Sequence, residues 1–280
     1  MDRTALIDGD EWAYVAAFST QQKYYVVYDG DKEIWKHTVQ KETIEKIGNK
    51  NYEMKPVMEV FGLEPGLVRA RKWLADVLEH TKCTKYRIFL NGKNNFRYEL
   101  ATILPYKGNR FDAVKPELLE DIRDWIRDSY DSESVDYLES DDLLSINHYN
   151  SGGSTVCVTQ DKDLNMIAGW RYSSRNRNVT LIDDASALKS FYYQLLTGDA
   201  TDNIPGLFRV GPVGANKLLA DCQTEKEYYQ VVLKAYRDQM AAGKPKWTTE
   251  KSTEDVIWEI GNLLWMRREL GENAYWQPPK

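Results

Sequence analysis

Short apolar runs rich in β-branched or aromatic residues recur along the chain, and most give way to a helical pattern. Thr4–Asp8 (TALID) leads into EWAYVAAF, and Tyr86–Asn91 (YRIFLN) follows the helical VRARKWLADVLEHT. Ser154–Gln160 (STVCVTQ) is the clearest buried strand, Val179–Asp183 (VTLID) is another, and Ser134–Leu138 (SVDYL) is a weaker one. Strands alternating with helices constrain the chain to an α/β fold with a mostly parallel central sheet flanked by helices. One stretch breaks the alternation. Tyr24–Val39 (YYVVYDGDKEIWKHTV) is two extended runs around an Asp29-Gly30 turn, a hairpin inserted into the first crossover. From about Thr197 the strand signals stop, and ANKLLADC, EKEYYQVVLKAYRDQMAA and EDVIWEIGNLLWMRREL read as helices, the last two separated by a linker at Ala241–Thr253. The expected organisation is an α/β core over residues 1–196, carrying the hairpin near 24–39, followed by a helical part over 197–280.

Composition narrows the chemistry. A chain of 280 residues with 42% hydrophobic and 12% aromatic content can bury a full core. No apolar run approaches the roughly 20 residues that span a bilayer, and MDRTALIDGDEW lacks the shape of a signal peptide, so a soluble intracellular protein is expected. Cys83, Cys157 and Cys222 are odd in number and form no CxxC pair, and His37, His80 and His148 are scattered. A disulfide framework, a thiolate zinc site and a histidine metal site are all disfavoured, so any metal must be held by oxygen. The net charge of -6 argues against a simple nucleic-acid coat. Charge is nevertheless polarised: Lys85, Arg87, Lys93, Arg97, Lys107, Arg110 and Lys115 stand against only Glu99 and Asp112, whereas Glu117–Asp142 is nearly all acidic. Solvated helix faces would also give such a pattern.

The acids fall at predicted strand ends, where open parallel sheets bind ligands. Asp8 ends its strand, and Asp161 and Asp163 (TQDKDL) follow theirs. Glu139, Asp141 and Asp142 (LESDDLLSI) open a helix, and Asp199 and Asp202 (GDATDN) follow the helix after the last strand. Singly, these residues suit a helix N-cap, an ordinary loop or a turn. Independent surface acids would not gather on one edge of a sheet, so a shared site is expected. Clustered carboxylates repel unless cations neutralise them, and all-oxygen ligation indicates Mg²⁺ or Mn²⁺. Two such ions about 4 Å apart are a device for in-line displacement at phosphate.

Immediately behind Asp202 lies FRVGPVGANKLL, which has the form of a helix-hairpin-helix element. Gly211 and Gly214 allow close backbone approach, and the next helix start offers N–H groups to phosphates. A tight interhelical turn with a C-cap glycine would have the same pattern. In FRYELATILPYKGNR, Arg97, Lys107 and Arg110 interleave with Phe96 and Tyr106, which suits a bound strand with a stacked end base, or equally surface cations lying over buried aromatics.

Taken in order, these motifs resemble the 5′→3′ exonuclease/flap endonuclease family, especially its bacteriophage members. LIDGD, FRYEL…PYKGNR, LESDD, VTQDKDL and GDATDNIPGLFRVGPVGANKLL carry the resemblance over most of the chain. It implies a PIN/FEN-like core with a helix–three-turn–helix motif and a short arch near 106–130. It further implies a metal-dependent structure-specific 5′ nuclease that hydrolyses DNA with two Mg²⁺ or Mn²⁺ ions. Asp8, Glu139 and Asp141 would serve the first metal with Asp142 close by, and Asp161, Asp163 and Asp202 the second with Asp199 in support. Lys107 and Arg110 would polarise the scissile phosphate, and Tyr106 would stack on the terminal nucleotide. Arg97 and the turn residues Gly206, Val210, Gly211, Val213, Gly214 and Lys217 would contact DNA, with K⁺ held by the turn's carbonyls. The implied partners are duplex or branched DNA with 5′ ends and RNA–DNA hybrids whose primer RNA is removed. The protein would be a phage-encoded monomer acting in replication or repair.

Asn91 departs from the pattern, because the family carries an Asp after that strand and Asn supplies an oxygen without the charge. A catalytically weakened binder of branched DNA is the alternative, and an RNA-cutting relative with the same acidic core a third. The 111–130 stretch is short and poor in basic residues for an arch that threads a long flap.

Overall fold

The computed structural model describes residues 3–48, 52–110, 114–245, 247, 249–271 and 274–280. Two compact units emerge, one of residues 1–9, 77–113 and 131–280 and the other of residues 10–76 and 114–130. The helices expected over 197–280 therefore share a unit with the strands of the sheet.

The first unit is built on a six-stranded sheet of β1 (Thr4–Asp8), β5 (Lys85–Phe89), β6 (Ser132–Glu133), β7 (Thr155–Val158), β8 (Gly169–Ser173) and β9 (Asn178–Ile182), in the order β6-β5-β1-β7-β8-β9. All neighbours are parallel except β8 and β9, which form an antiparallel hairpin. Strands β1 and β7 are buried almost throughout, as central strands covered on both faces must be. Register aligns Asp8 with Phe89 and Ile7 with Val158, so the segments leaving β1, β5 and β7 emerge on one edge.

The stretch read as a strand at Ser134–Leu138 is a turn, and pairing is confined to Ser132–Glu133. Its polar groups go instead to the loop after β5. The Asp136 carboxylate accepts the Lys93 N–H at 2.9 Å and the Tyr137 N–H reaches the Lys93 carbonyl at 2.8 Å. Gly92 is obligatory there, because a Cβ would collide with the Val135 carbonyl.

Helices α1 (Gly9–Ala17), α2 (Gln40–Ile47), α3 (Glu64–Thr81) and α4 (Phe96–Leu100) come earlier in the chain, and α6 (Ser140–Tyr149) packs on β1, β5 and β7. Helix α7 (Asp184–Thr197) packs against α8 (Pro212–Leu218), α9 (Glu225–Ala241) and α10 (Thr253–Leu264). Phe191, Tyr192, Leu195, Tyr236, Ile257, Ile260 and Trp276 share one core here. The helical pattern expected to run to Leu270 stops at Leu264, where Trp265 turns extended. The Leu263 and Trp265 carbonyls accept from the buried Arg97 guanidinium instead of continuing the helix. Among the described residues, no helix is long and apolar enough to cross a membrane.

In the second unit, β2 (Gln21–Asp29) is flanked by β3 (Lys32–His37) and β4 (Glu53–Val60) in an antiparallel sheet. The hairpin read at 24–39 is present, with its turn at Gly30-Asp31, one residue later than expected, because Gly30 takes the positive φ. Strand β4 carries Pro56, which an edge strand tolerates. Helix α5 (Leu119–Ser129) buries Leu119, Ile122 and Ile126, and Trp12 packs among Trp73, Trp125 and Tyr130. Of the region read as a short arch, residues 111–113 lie outside the described residues. The rest divides between the units, and the α5 cations Arg123 and Arg127 are paired with Glu120 and Asp124.

Candidate active site

The side chains at the sheet edge come from segments far apart in sequence. Asp8 ends β1, Glu139 is the N-cap of α6, and Asp161 caps a short 3-10 turn at Lys162–Met166 after β7. Asp199 and Asp202 lie in the tight loop after α7, where Asp199 and Ile204 exchange backbone hydrogen bonds of 2.9 and 2.8 Å.

A mutual field joins them. The Asp141 carboxyl is pushed well above the ordinary range by burial, then by the charges of Asp8, Asp161, Glu139 and Asp142. Asp141 is half-buried, yet its Oδ1 is sealed from solvent without a hydrogen-bond partner. Burial, reinforced by Asp161, pushes Asp163 up to about 7 against the pull of Lys162. Burial also raises Asp202, while Lys107 and Arg110 draw it down. Glu139 ends below the ordinary range because Arg97 and Lys107 outweigh its burial. Lys162, bonded to Asp199 at 2.7 Å, does the same for that carboxylate.

Two motifs that are remote in sequence form one piece. Lys107 takes a left-handed conformation at φ 54°, and its N–H donates to the Asp202 carbonyl at 2.8 Å. The Asn109 amide donates to the Ala200 carbonyl, Arg110 Nε to the Thr201 carbonyl, and the Asn203 amide to the Pro105 carbonyl. The Lys107 ammonium lies 2.5 Å from Glu139 and 3.9 Å from Asp202, and Arg110 pairs with Asp202. Lys107 and Arg110 of the basic strip thus turn inward onto the acids. Arg87, further along the strip, pairs with Glu133.

Several residues have other places than the sequence suggested. Arg97, expected to contact DNA, is wholly buried and clamps Asp142 through bonds of 2.6 and 2.8 Å. Asp142, expected near the first metal, is equally buried and its oxygens are committed to that clamp. Each supplies the partner that the other's buried charge requires. Tyr106, expected to stack on a nucleotide, is buried against Tyr98, and its hydroxyl lies 3.0 and 2.9 Å from Glu139 and Asp202. Its ring is covered, and its hydroxyl sits on two of the carboxylates. Asn91 Oδ1 accepts the Ser140 N–H at 2.7 Å, and the Ser140 hydroxyl donates to Asp8 at 3.1 Å. Asn91 therefore anchors the start of α6.

Gly206 is needed for packing, since a Cβ would collide with the Thr197 and Gly198 backbone. Val210 packs onto the core. Gly211, Val213 and Lys217 point outward, with nothing near a Cβ placed on Gly211, and Gly214 meets only Val210. Sequence reasoning missed Gln194, whose amide donates to Asp163, and Glu259, which accepts from Thr102 and Ile103 and so braces the segment before Tyr106. A Gln or Glu inside an apolar helix stretch is the only signal either leaves.

The donor chemistry fits hard divalent cations: every acid is a carboxylate, and the orphaned Asp141 oxygen is the kind of buried acceptor a cation satisfies. Among the described residues no three of these side chains already close around one ion, because Lys107, Arg110 and Lys162 hold several of them.

No protein-family model matches the chain. Over 143 residues, 44% of this chain, it is 26% identical to DNA polymerase I of Caldicellulosiruptor bescii, and the match spans only 17% of that protein. Among solved structures it resembles the bacteriophage T5 5′-exonuclease with divalent metal ions (zinc) bound, at a TM-score of 0.53 and 15% identity over 69% of this chain and 80% of that one. The T5 D15 protein co-crystallised with metal ions aligns at a TM-score of 0.52 and 12% identity over 70% and 79%. The D15 flap endonuclease in a pseudo-enzyme-product complex with DNA and metal ions aligns at 0.50 and 14%, again over 70% and 79%. These likenesses establish the class of fold, that of the phage 5′ nucleases. The mostly parallel α/β architecture and the family resemblance read from the motifs agree with it.

Proposed function

We propose that this protein is a structure-specific 5′ nuclease that hydrolyses phosphodiester bonds of DNA with two bound divalent cations, Mg²⁺ or Mn²⁺. The observation that carries the reading is the convergence of Asp8, Glu139, Asp141, Asp161, Asp163, Asp199 and Asp202 on one sheet edge, with an Asp141 oxygen buried without a hydrogen-bond partner. Asp8, Glu139 and Asp141 would hold one cation, and Asp161, Asp163 and Asp202 the other. Bound there, such ions supply a water nucleophile at neutral pH and neutralise the leaving oxygen.

The protein's own groups do the rest. Tyr106 holds Glu139 and Asp202 in place through its hydroxyl. Lys107 and Arg110 pair with Glu139 and Asp202 and would exchange them for the oxygens of a seated phosphate. The exposed turn around Gly211, Val213, Gly214 and Lys217 would take duplex phosphates and a K⁺ ion on its carbonyls, so grip and cut lie a fixed distance apart. The same backbone grip would accept an RNA–DNA hybrid, and the enzyme would act as a monomer inside the cell.

A second reading follows from Asn91, whose oxygen is committed to Ser140 and brings no charge: a branched-DNA binder with weakened catalysis. Cleavage of a 5′-flap duplex labelled at either end, with Mg²⁺, Mn²⁺ or chelator, separates the two. The nuclease releases 5′ products only with metal and loses this with Asp202→Ala. The weakened binder cuts only as Asn91→Asp. Failure of both proteins to cut would refute the metal-site reading.

A further inference from the structure

Two clefts open beside the carboxylates, both within the first unit. One, of about 360 Å³, lies against the β8–β9 hairpin and is lined by Lys162, Arg171, Arg175, Asn176, Asn178 and Thr180 among others. The second, of about 440 Å³, runs along α7 to Asn216 on α8, with Lys189, Ser190, Tyr193 and Gln194 on its wall. They share Lys162 and Asn165, so the two clefts adjoin at those side chains.

Its charge is one-sided. The chain has 43 acidic residues against 37 lysines and arginines, yet none of the described residues lining either cleft is acidic. Arg175 and Lys189 are set among amides and hydroxyls, the donor set that holds phosphate and sugar oxygens without reading bases, while Arg171 bonds Asn165 and the Asp161 carbonyl and Lys162 bonds Asp199. Two buried atoms here lack partners. Arg171 Nε is sealed from solvent with nothing to donate to, and Gln194 Oε1 has nothing to accept from although its amide is fixed on Asp163 at 2.5 Å. Lys162, at the junction, sits between Asp161 and Asp163 in sequence and bonds Asp199. The groove therefore begins at the carboxylate cluster and ends on the helix that follows the Gly211 turn.

We infer that this groove is a second DNA-binding site, receiving the phosphodiester backbone of a strand that leaves the carboxylate cluster. It rests on the nuclease reading for the identity of the ligand, but not for the anion chemistry. Arg175 and Lys189 are the gripping cations, and Lys162 links grip to carboxylates. Each phosphate contact neutralises one charge and releases counterions, which steepens the salt dependence of binding by about one per contact.

The test is fluorescence anisotropy of a labelled 5′-flap duplex in chelator, across a series of NaCl concentrations. For Arg175→Ala/Lys189→Ala, binding should weaken at least about tenfold at moderate salt and the slope of log Kd against log salt should fall by about two. Arg175→Lys/Lys189→Arg should restore both. Lys234→Ala, which removes an exposed cation of α9 away from the groove, should change neither. Identical Kd and slope for the wild type and the double alanine variant would overturn the groove. End-labelled cleavage by the wild type is read separately. A protein that cuts DNA while its alanine variant binds unchanged loses only the groove. One that binds through the groove without cutting loses only the nuclease reading, and one that does not bind the duplex loses both.

Discussion

Replacing Arg97 with Met keeps the bulk of the side chain and removes its charge. Asp142, wholly buried, would then keep a carboxylate with no cation beside it, and breaking one side of such a pair costs about 3–5 kcal/mol. The Leu263 and Trp265 carbonyls would each lose the donor they now have at 2.9 and 3.0 Å, adding about 1 kcal/mol apiece. The expected loss is therefore about 5–7 kcal/mol, comparable to the whole stability of many domains. Urea unfolding followed by fluorescence and circular dichroism measures it. Asp142→Leu added to Arg97→Met should recover most of the charge penalty and leave the two carbonyls unsatisfied. A loss below about 1 kcal/mol for Arg97→Met, with a flattened salt dependence of DNA binding, would refute the argument and return Arg97 to the DNA-binding face.

Other consequences are equally open to measurement. Gly206→Ala drives a methyl group into the Thr197–Gly198 backbone and should cost about 3 kcal/mol or more in thermal or urea unfolding. Gly211→Ala meets nothing and should change stability by no more than about 0.5 kcal/mol while lowering duplex affinity in a filter-binding or anisotropy assay. Tyr106→Phe keeps the ring but loses the hydroxyl that positions Glu139 and Asp202, and should weaken Mn²⁺ binding about 10–100-fold by calorimetry. Burial brings the His148 imidazole down to about 4 from 6.5. The unfolded chain therefore binds the proton first, and stability present above pH 6.5 is lost as pH falls to 4, by up to about 3 kcal/mol. His148→Gln should remove that component from the acid limb of a stability–pH curve.

Much of this was readable beforehand. β1 and β7 announced themselves because central parallel strands are continuous apolar runs, and the acids at their ends followed from where such sheets place ligands. Strand β4 left no trace: its residues are mostly exposed and include Pro56, so neither periodicity nor apolar content marks it. β8 begins with a glycine and carries a half-buried arginine, which hides it equally well. The roles of Arg97 and Tyr106 were illegible for a different reason. A cation beside an aromatic looks alike whether it faces solvent or a buried acid, and only the fold brings Asp142 to Arg97 across 45 residues and Asp202 to Tyr106 across 96. Charge polarity along the sequence showed that opposite charges would meet. It could not show that they would neutralise one another at the edge of the sheet.

On the nuclease reading, one carboxylate cluster both holds divalent cations and cuts DNA. Its most direct test compares two Mn²⁺ titrations of the wild type and of Asp141→Asn, one of bound Mn²⁺ by electron paramagnetic resonance and one of 5′-flap cleavage. Binding and cleavage should saturate over the same Mn²⁺ range in the wild type, and Asp141→Asn should shift both by the same factor, at least about tenfold. Cleavage that persists in chelator, or that is unchanged in Asp141→Asn while Mn²⁺ binding is lost, would contradict it.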